Sequence, residues 1–154
     1  MAAHFPLTVY FDASCRLCAS EMQNIKQHDH KNQLVMVDCS AADFDDSPYQ
    51  ALGITRATMM HRLHLQDAKG QWLVGVDAFV LLYDTVGLSC IAKLWGHPVT
   101  KPWAKRFYPW IADHRYLLSW FGLPELINAW SRHAAKKAEQ RSRLCQEGLC
   151  KTDD

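Results

Sequence analysis

One stretch constrains the fold more than any other: Leu7-Thr-Val-Tyr-Phe-Asp12-Ala-Ser-Cys15-Arg-Leu-Cys18-Ala-Ser-Glu-Met-Gln-Asn-Ile25. Val9, Tyr10 and Phe11 favour a strand. Asp12 and Ser14 then offer side chains that hydrogen-bond the unpaired N–H groups of a helix start. The spacing predicts Cys15 in the first helical turn. Cys18, Met22 and Ile25 follow at i, i+4 and i+7, one apolar helix face, so Cys18 is expected to point inward and Cys15 to stay accessible. A strand feeding directly into an amphipathic helix demands a sheet with a helix laid against it.

The two sulfurs suit dithiol chemistry. The thiolate is the nucleophile, and the positive end of a helix lowers a cysteine pKa from about 8.5 into the range of roughly 3.5 to 7.5. Arg16 lies between the sulfurs and adds a cation. Asp12 is expected to cap the loop first and to carry a proton for the inner thiol second. A haem-attachment reading fails because Ala19 follows the second cysteine, where His would be needed.

The segment Asp12-Ala13-Ser14-Cys15-Arg16-Leu17-Cys18 resembles the D-G-x-C-x-L-C signature of the DCC family (DUF393) of thiol-disulfide oxidoreductases, small proteins related to thioredoxin. Asp67-Ala-Lys-Gly70-Gln-Trp72-Leu-Val-Gly75-Val-Asp77-Ala-Phe79 is similar to that family's D-x-x-G-x-x-x-x-G-x-x-A-F stretch, and His114-Arg115-Tyr116 to its C-terminal R-Y element. The likeness spans roughly residues 7–120. It implies a thioredoxin-like fold and a reaction class, with no cofactor and no particular substrate. Ala13 stands where the family carries Gly, a strained substitution if the turn needs positive φ. Thioredoxin's proline before the third strand has no counterpart in Arg56-Ala-Thr58-Met59-Met60.

Along the chain, Leu34–Val37 is a continuous apolar run, expected as a strand buried on both faces and parallel to the first. Cys39 follows at its C-terminal end, where α/β sheets gather functional groups; a buried structural role is the plainer expectation. The histidines of His28-Asp-His-Lys-Asn32 are read as a solvated helix end. Pro48–Gly53 reads as a short helix. Met60–Gln66 and Gln71–Val74 flank Asp67-Ala-Lys-Gly70, a hairpin signal, with His61 and His64 expected on the sheet surface. Asp77 is positioned to cap a helix carrying Phe79, Leu82, Tyr83 and Val86, closed by Gly87.

From Leu88 onward prolines 98, 102, 109 and 124 are expected to separate short helical patches bearing five of the six tryptophans. Between Lys93 and Arg143 ten basic residues face three acidic ones, although the whole chain carries a net charge of only +1. That total argues against a nucleic-acid binder. The expected fold class is α/β: a thioredoxin-like redox domain over residues 1–88, a basic Trp-rich helical extension packed on it over 89–144, and a flexible tail over 145–154. The leading residues lack a signal-peptide pattern, so a cytoplasmic location is expected, and in a reducing compartment the six cysteines are expected to be reactive, ligating or buried rather than joined in a structural framework. No apolar run reaches transmembrane length.

The expected function is thiol-disulfide exchange with Cys15 attacking, Cys18 resolving, and Asp12 and Arg16 in support. The partners would be a protein or small-molecule disulfide and a regenerating redox partner. Two other readings compete. One is a zinc module built from Cys15 and Cys18 with Cys145 and Cys150. The other is a membrane-surface or protein contact through the basic half, where Trp95, Trp103, Trp110, Trp120 and Trp130 lie, against the plainer expectation that these rings bury on the body. Cys145 and Cys150, separated by four residues including Gly148, could also close as a shuttle disulfide, against plain adventitious oxidation.

Overall fold

The computed structural model describes residues 3–120. Strand β1 (Leu7–Phe11) leads into helix α1 (Arg16–Gln27), which returns to strand β2 (Leu34–Asp38). A 3₁₀ turn (Gln50–Leu52) and helix α2 (Arg56–His61) precede strands β3 (His64–Gln66) and β4 (Trp72–Val74). Helices α3 (Val76–Thr85), α4 (Ser89–Gly96) and α5 (Thr100–Trp120) follow. The sheet order is β2-β1-β3-β4, with β1 parallel to β2 and antiparallel to β3. The parallel βαβ unit, antiparallel hairpin and following helix make the thioredoxin-like mixed sheet that the sequence implies.

Alternation along β1 divides the core. Leu7 and Val9 point to one face, where they meet Met22, Ile25, Leu65 and Leu82. Tyr10 points to the other, with Cys39 and Met59 beneath a cover of Phe44, Tyr49 and Trp72. Both faces are therefore filled, and each fully buried aliphatic side chain contributes about 1.5–3 kcal/mol. Strand β2 is parallel to β1 as expected, but it lies at the sheet edge, leaving Val35 exposed rather than buried on both faces.

The hairpin closes as the sequence indicates. The Asp67 carboxylate accepts from Lys69 and Gln71 backbone N–H groups, and Gly70 takes φ 78°. Strand β3 is shorter than expected because α2 claims the residues before it. Thr55 and Thr58 bond each other's backbone N–H in a capping box, which fixes a helix start at Arg56. His61 thus ends a helix, and His64 is buried against Trp72 rather than lying on the sheet surface.

Asp77 sits inside the first turn of α3, whose N-cap is Gly75, so it does not cap the helix. It instead binds Lys101 and Lys105 of α5, each at 2.7 Å. Pro109 does not divide that region into short patches: it lies within the 21-residue helix α5. That helix packs against α1, α3 and α4, which carries its last turns to the cysteine end of the sheet.

Candidate functional site

Site geometry starts at the β1–α1 junction. Asp12, the residue after β1, is fully buried, and its Oδ1 accepts from the Ser14 N–H at 3.0 Å and from the Ser14 hydroxyl. The Ala13 N–H donates to Asp38 Oδ1 at 3.1 Å, linking the turn to the end of β2. Ala13 does not have positive φ, so the missing glycine causes no strain; among the described residues Asn32, at φ 51°, is the non-glycine residue in that region.

Cys15 is the N-cap of α1, with an extended backbone at φ −83° and ψ 111°, and its Sγ accepts from the Cys18 N–H at 3.4 Å. The helix start is thus capped by the sulfur itself. This reverses the expected accessibility: Cys15 is completely buried and Cys18 is only half-buried, although Met22 and Ile25 do face the core. Helical periodicity orients Cys18 but does not extend to a residue whose own backbone is not helical.

The two thiols are driven apart. A hydrogen bond from the Cys18 side chain, working against burial and aided by the Cys18 N–H and the Arg115 charge, pulls the Cys15 thiol down to about 6. The same hydrogen bond pushes Cys18 up, with burial and the nearby Cys15 charge adding to it. Such a split is the usual signature of an acid–base or nucleophile pair.

The cation acting on both sulfurs is Arg115, near the end of α5, whereas Arg16 is exposed at the first helical position. The buried Arg115 guanidinium donates to Asp12 Oδ2 at 2.9 Å and to the His61 carbonyl at 2.9 Å. The Tyr116 hydroxyl donates to the same Asp12 oxygen. Burial pushes the Asp12 carboxyl up, but the bonds from Ser14 and Tyr116 and the Arg115 charge outweigh it and hold it below the ordinary value. Arg115 and Tyr116 had a sequence signal in the R-Y element, but no role followed from it, because nothing local tells that they meet a carboxylate more than a hundred residues earlier.

Cys39 is fully buried at the end of β2, its Sγ 3.8 Å from Met59 Sδ, and burial followed by the Asp38 charge raises its thiol to about 12. Cys90 lies exposed on α4. Among the described residues no group of three or more His, Cys, Asp or Glu is placed to hold a metal ion. Cys145 and Cys150, and with them the zinc and shuttle readings, lie outside the described residues, as do Trp130 and the expected tail.

No helix among the described residues is long and apolar enough to cross a membrane. Comparison with known proteins finds similarity to an uncharacterized chloroplastic protein of Arabidopsis thaliana, 29% identical over 99 residues, which cover 64% of this chain and 43% of that protein. The chain thus matches less than half the length of that relative. No solved structure matches. The family profile of the DCC1-like thiol-disulfide oxidoreductases matches residues 9–121, a span that runs from β1 through the CxxC turn to the end of α5. By that match the chain belongs to the DCC1-like thiol-disulfide oxidoreductase family.

Proposed function

We propose that Cys15 and Cys18 are the redox pair of a thiol-disulfide oxidoreductase. The Cys15 thiolate attacks a substrate disulfide, forming a mixed disulfide and releasing one substrate thiolate. Cys18 then loses its proton and attacks Cys15 Sγ, which releases the second substrate thiolate and leaves Cys15–Cys18 oxidised. The substrate gains two electrons and the dithiol loses two. A dithiol or disulfide partner regenerates the pair, so no metal or organic cofactor enters the cycle.

The observation that carries this reading is the position of Cys15 Sγ on the helix N-terminus, hydrogen-bonded by Cys18 and with its thiol held at about 6. Near neutral pH it is mostly thiolate. Asp12 serves as the anchor of the turn, since its two oxygens already accept from Ser14, Arg115 and Tyr116. Arg115 supplies the buried positive charge, and Arg16 adds charge at the exposed helix start, where a substrate approaches. Because Cys15 is wholly covered, a local opening precedes the first step. The reading keeps the cytoplasmic location expected from the sequence. Disulfide reduction in an insulin-type assay tests it: wild type should be active and Cys15→Ser inactive, and equal rates would overturn it.

A second reading concerns α5. Trp103, Trp110 and Trp120 do not bury on the body as the plainer expectation had it; they are 65%, 54% and 78% exposed. Trp103 stacks on Phe107, and the exposed stripe continues at helical spacing through Leu117. Exposed tryptophans on a helix that also carries Arg106 suit contact with an anionic membrane surface. Vesicle co-sedimentation tests this: binding should need anionic lipid and fall with salt, and absence of binding at low salt would dispose of it.

A further inference from the structure

Beside the cysteine turn lies a cavity of about 380 Å³, within the roughly 300–1,000 Å³ of small-molecule sites. Its walls are mainly apolar, with Phe79, Ile91, Trp95 and Ile111 among them. Cys18 lines it and the wholly buried Cys15 does not, so a molecule held there meets the second sulfur of the pair.

The wall offers little to a peptide main chain. Over residues 61–63 the Arg62 N–H donates to the Thr58 carbonyl and the Leu63 N–H to the Tyr108 hydroxyl. The Leu63 carbonyl accepts from the Gly75 N–H and the His61 carbonyl from Arg115, while the Arg62 carbonyl lies 2.8 Å from His64 Nδ1. Docking of an extended strand needs free main-chain groups, and here they are taken. A hydrocarbon chain needs none and suits the apolar walls.

Charge then selects what that chain carries at one end. In the wall Asp12 is paired with Arg115 at 2.9 Å, and His61 bonds Asp113 at 2.8 Å. Glu21 accepts from the Tyr83 hydroxyl. Arg62 differs: it lines the cavity, it is exposed, and no ion pair among the described residues balances it. It adjoins Leu63 and hence Tyr108, whereas Glu21 stands beside Tyr83. An anion at Arg62 is thereby set apart from the Glu21 carboxylate.

We infer that this cavity receives the small dithiol that regenerates the pair, its thiols against Cys18, its hydrocarbon chain along the apolar walls and its carboxylate on Arg62. The inference rests on the redox reading of Cys15 and Cys18 and names the class of reductant. One thiolate of the ligand attacks Cys18 Sγ of the oxidised pair, the Cys15–Cys18 bond breaks, and Cys15 leaves as thiolate. Held at about 6, the Cys15 thiol is the more acidic of the two and the better leaving group. The second ligand thiol gives up its proton and attacks the ligand sulfur joined to Cys18. That closes the ligand's own disulfide, and Cys18 departs and takes a proton. The ligand loses two electrons and the protein pair gains them.

Dihydrolipoate has this shape, and dihydrolipoamide is the same dithiol with a neutral end. Acting on the oxidised full chain, dihydrolipoate should reduce the Cys15–Cys18 bond about three- to fivefold faster than the amide, the scale of an exposed ion pair. Mass mapping of labelled thiols follows the reaction. In Arg62→Gln the ratio should fall to about one. Equal rates in the wild type, or a ratio untouched by Arg62→Gln, would overturn the inference. The single thiol 8-mercaptooctanoate cannot close a ring, so acid quenching should find its adduct on Cys18; an adduct on Cys15 would overturn the route. Binding is read separately on the reduced full chain by nuclear magnetic resonance titration with octanoate, octanamide and octylammonium, which carry no sulfur. Octanoate should bind saturably and tightest of the three, shifting Ile91 and Ile111. Tightest binding of octylammonium, or shifts elsewhere on the protein, would contradict the anion site. A pair that neither dithiol reduces overturns the redox reading and the reductant with it, whereas equal reduction by both dithiols leaves that reading standing and removes this inference alone.

Discussion

Cys15 and Cys39 make an instructive pair. Each follows the C-terminal end of one of two neighbouring parallel strands, and each is completely buried. Yet one thiol is held at about 6 and the other is pushed to about 12. Burial is common to both, so burial does not decide reactivity. What differs is the neighbourhood that the chain builds next. After Cys15 the backbone enters α1 at once, which brings the Cys18 N–H and thiol onto the sulfur, and α5 adds Arg115. After Cys39 the chain turns away, leaving the sulfur against Met59 and close to the Asp38 carboxylate. A helix start and a cation stabilise a thiolate; a thioether and a carboxylate do not.

The largest effect expected from breaking this contrast lies in the ion pair behind Cys15. Arg115→Met leaves Asp12 buried without its cation, and removing one partner of a buried pair costs about 3–5 kcal/mol. Chemical denaturation should show that loss near neutral pH, and it should shrink in acid. The reason is the sign of the linkage: Asp12 has a depressed folded-state pKa. Its contribution is fully present above the unfolded carboxylate value and is lost as pH falls through the lower folded one. A loss independent of pH would show that the pair does not anchor the turn.

Next in size is the catalytic contrast itself. Cys15→Ser should lower disulfide reduction by about a hundredfold or more, since a hydroxyl cannot replace the thiolate nucleophile. Cys39→Ala should change the rate by no more than about twofold, because its sulfur is outside the proposed chemistry. Steady-state rates with a protein disulfide substrate measure both, and a collapse of activity in Cys39→Ala with the fold intact would break the comparison.

The smallest effect sharpens the structural half. Removing the Cys39 sulfur from its contact with Met59 should cost about 1 kcal/mol in denaturant unfolding, the scale of one buried methyl-sized group. No loss at all would mean that the site is not packed as described.

Much of this arrangement was legible in the sequence, and the failures have physical causes. The β1–α1–β2 unit could be read because strand formers, a turn with Asp and Ser, and the apolar face of Met22 and Ile25 all agree. The hairpin was legible from Asp67 and Gly70 for the same reason. The cysteine accessibility was not, because Cys15 caps the helix instead of joining it. Helix α2 was missed although Thr55 and Thr58 encode its start, since Met60 and the alternation after it also fit a strand. Pro109 predicts a break, but packing of α5 against three other helices overrides one lost backbone bond. Arg115 and Tyr116 meet Asp12 only through the tertiary fold, which no local pattern encodes.

The most direct test of the central claim is the thiolate titration of Cys15, followed by ultraviolet absorbance in the reduced protein with Cys39, Cys90, Cys145 and Cys150 replaced by Ala. A transition near pH 6 is expected, and it should move upward in Cys18→Ala, which removes the hydrogen bond that lowers the thiol most. The depressed value also sets the linkage: Cys15 should add stability that is full above the ordinary thiol range and is lost as pH falls through about 6. A transition near the ordinary cysteine value, or one indifferent to Cys18→Ala, would contradict the account.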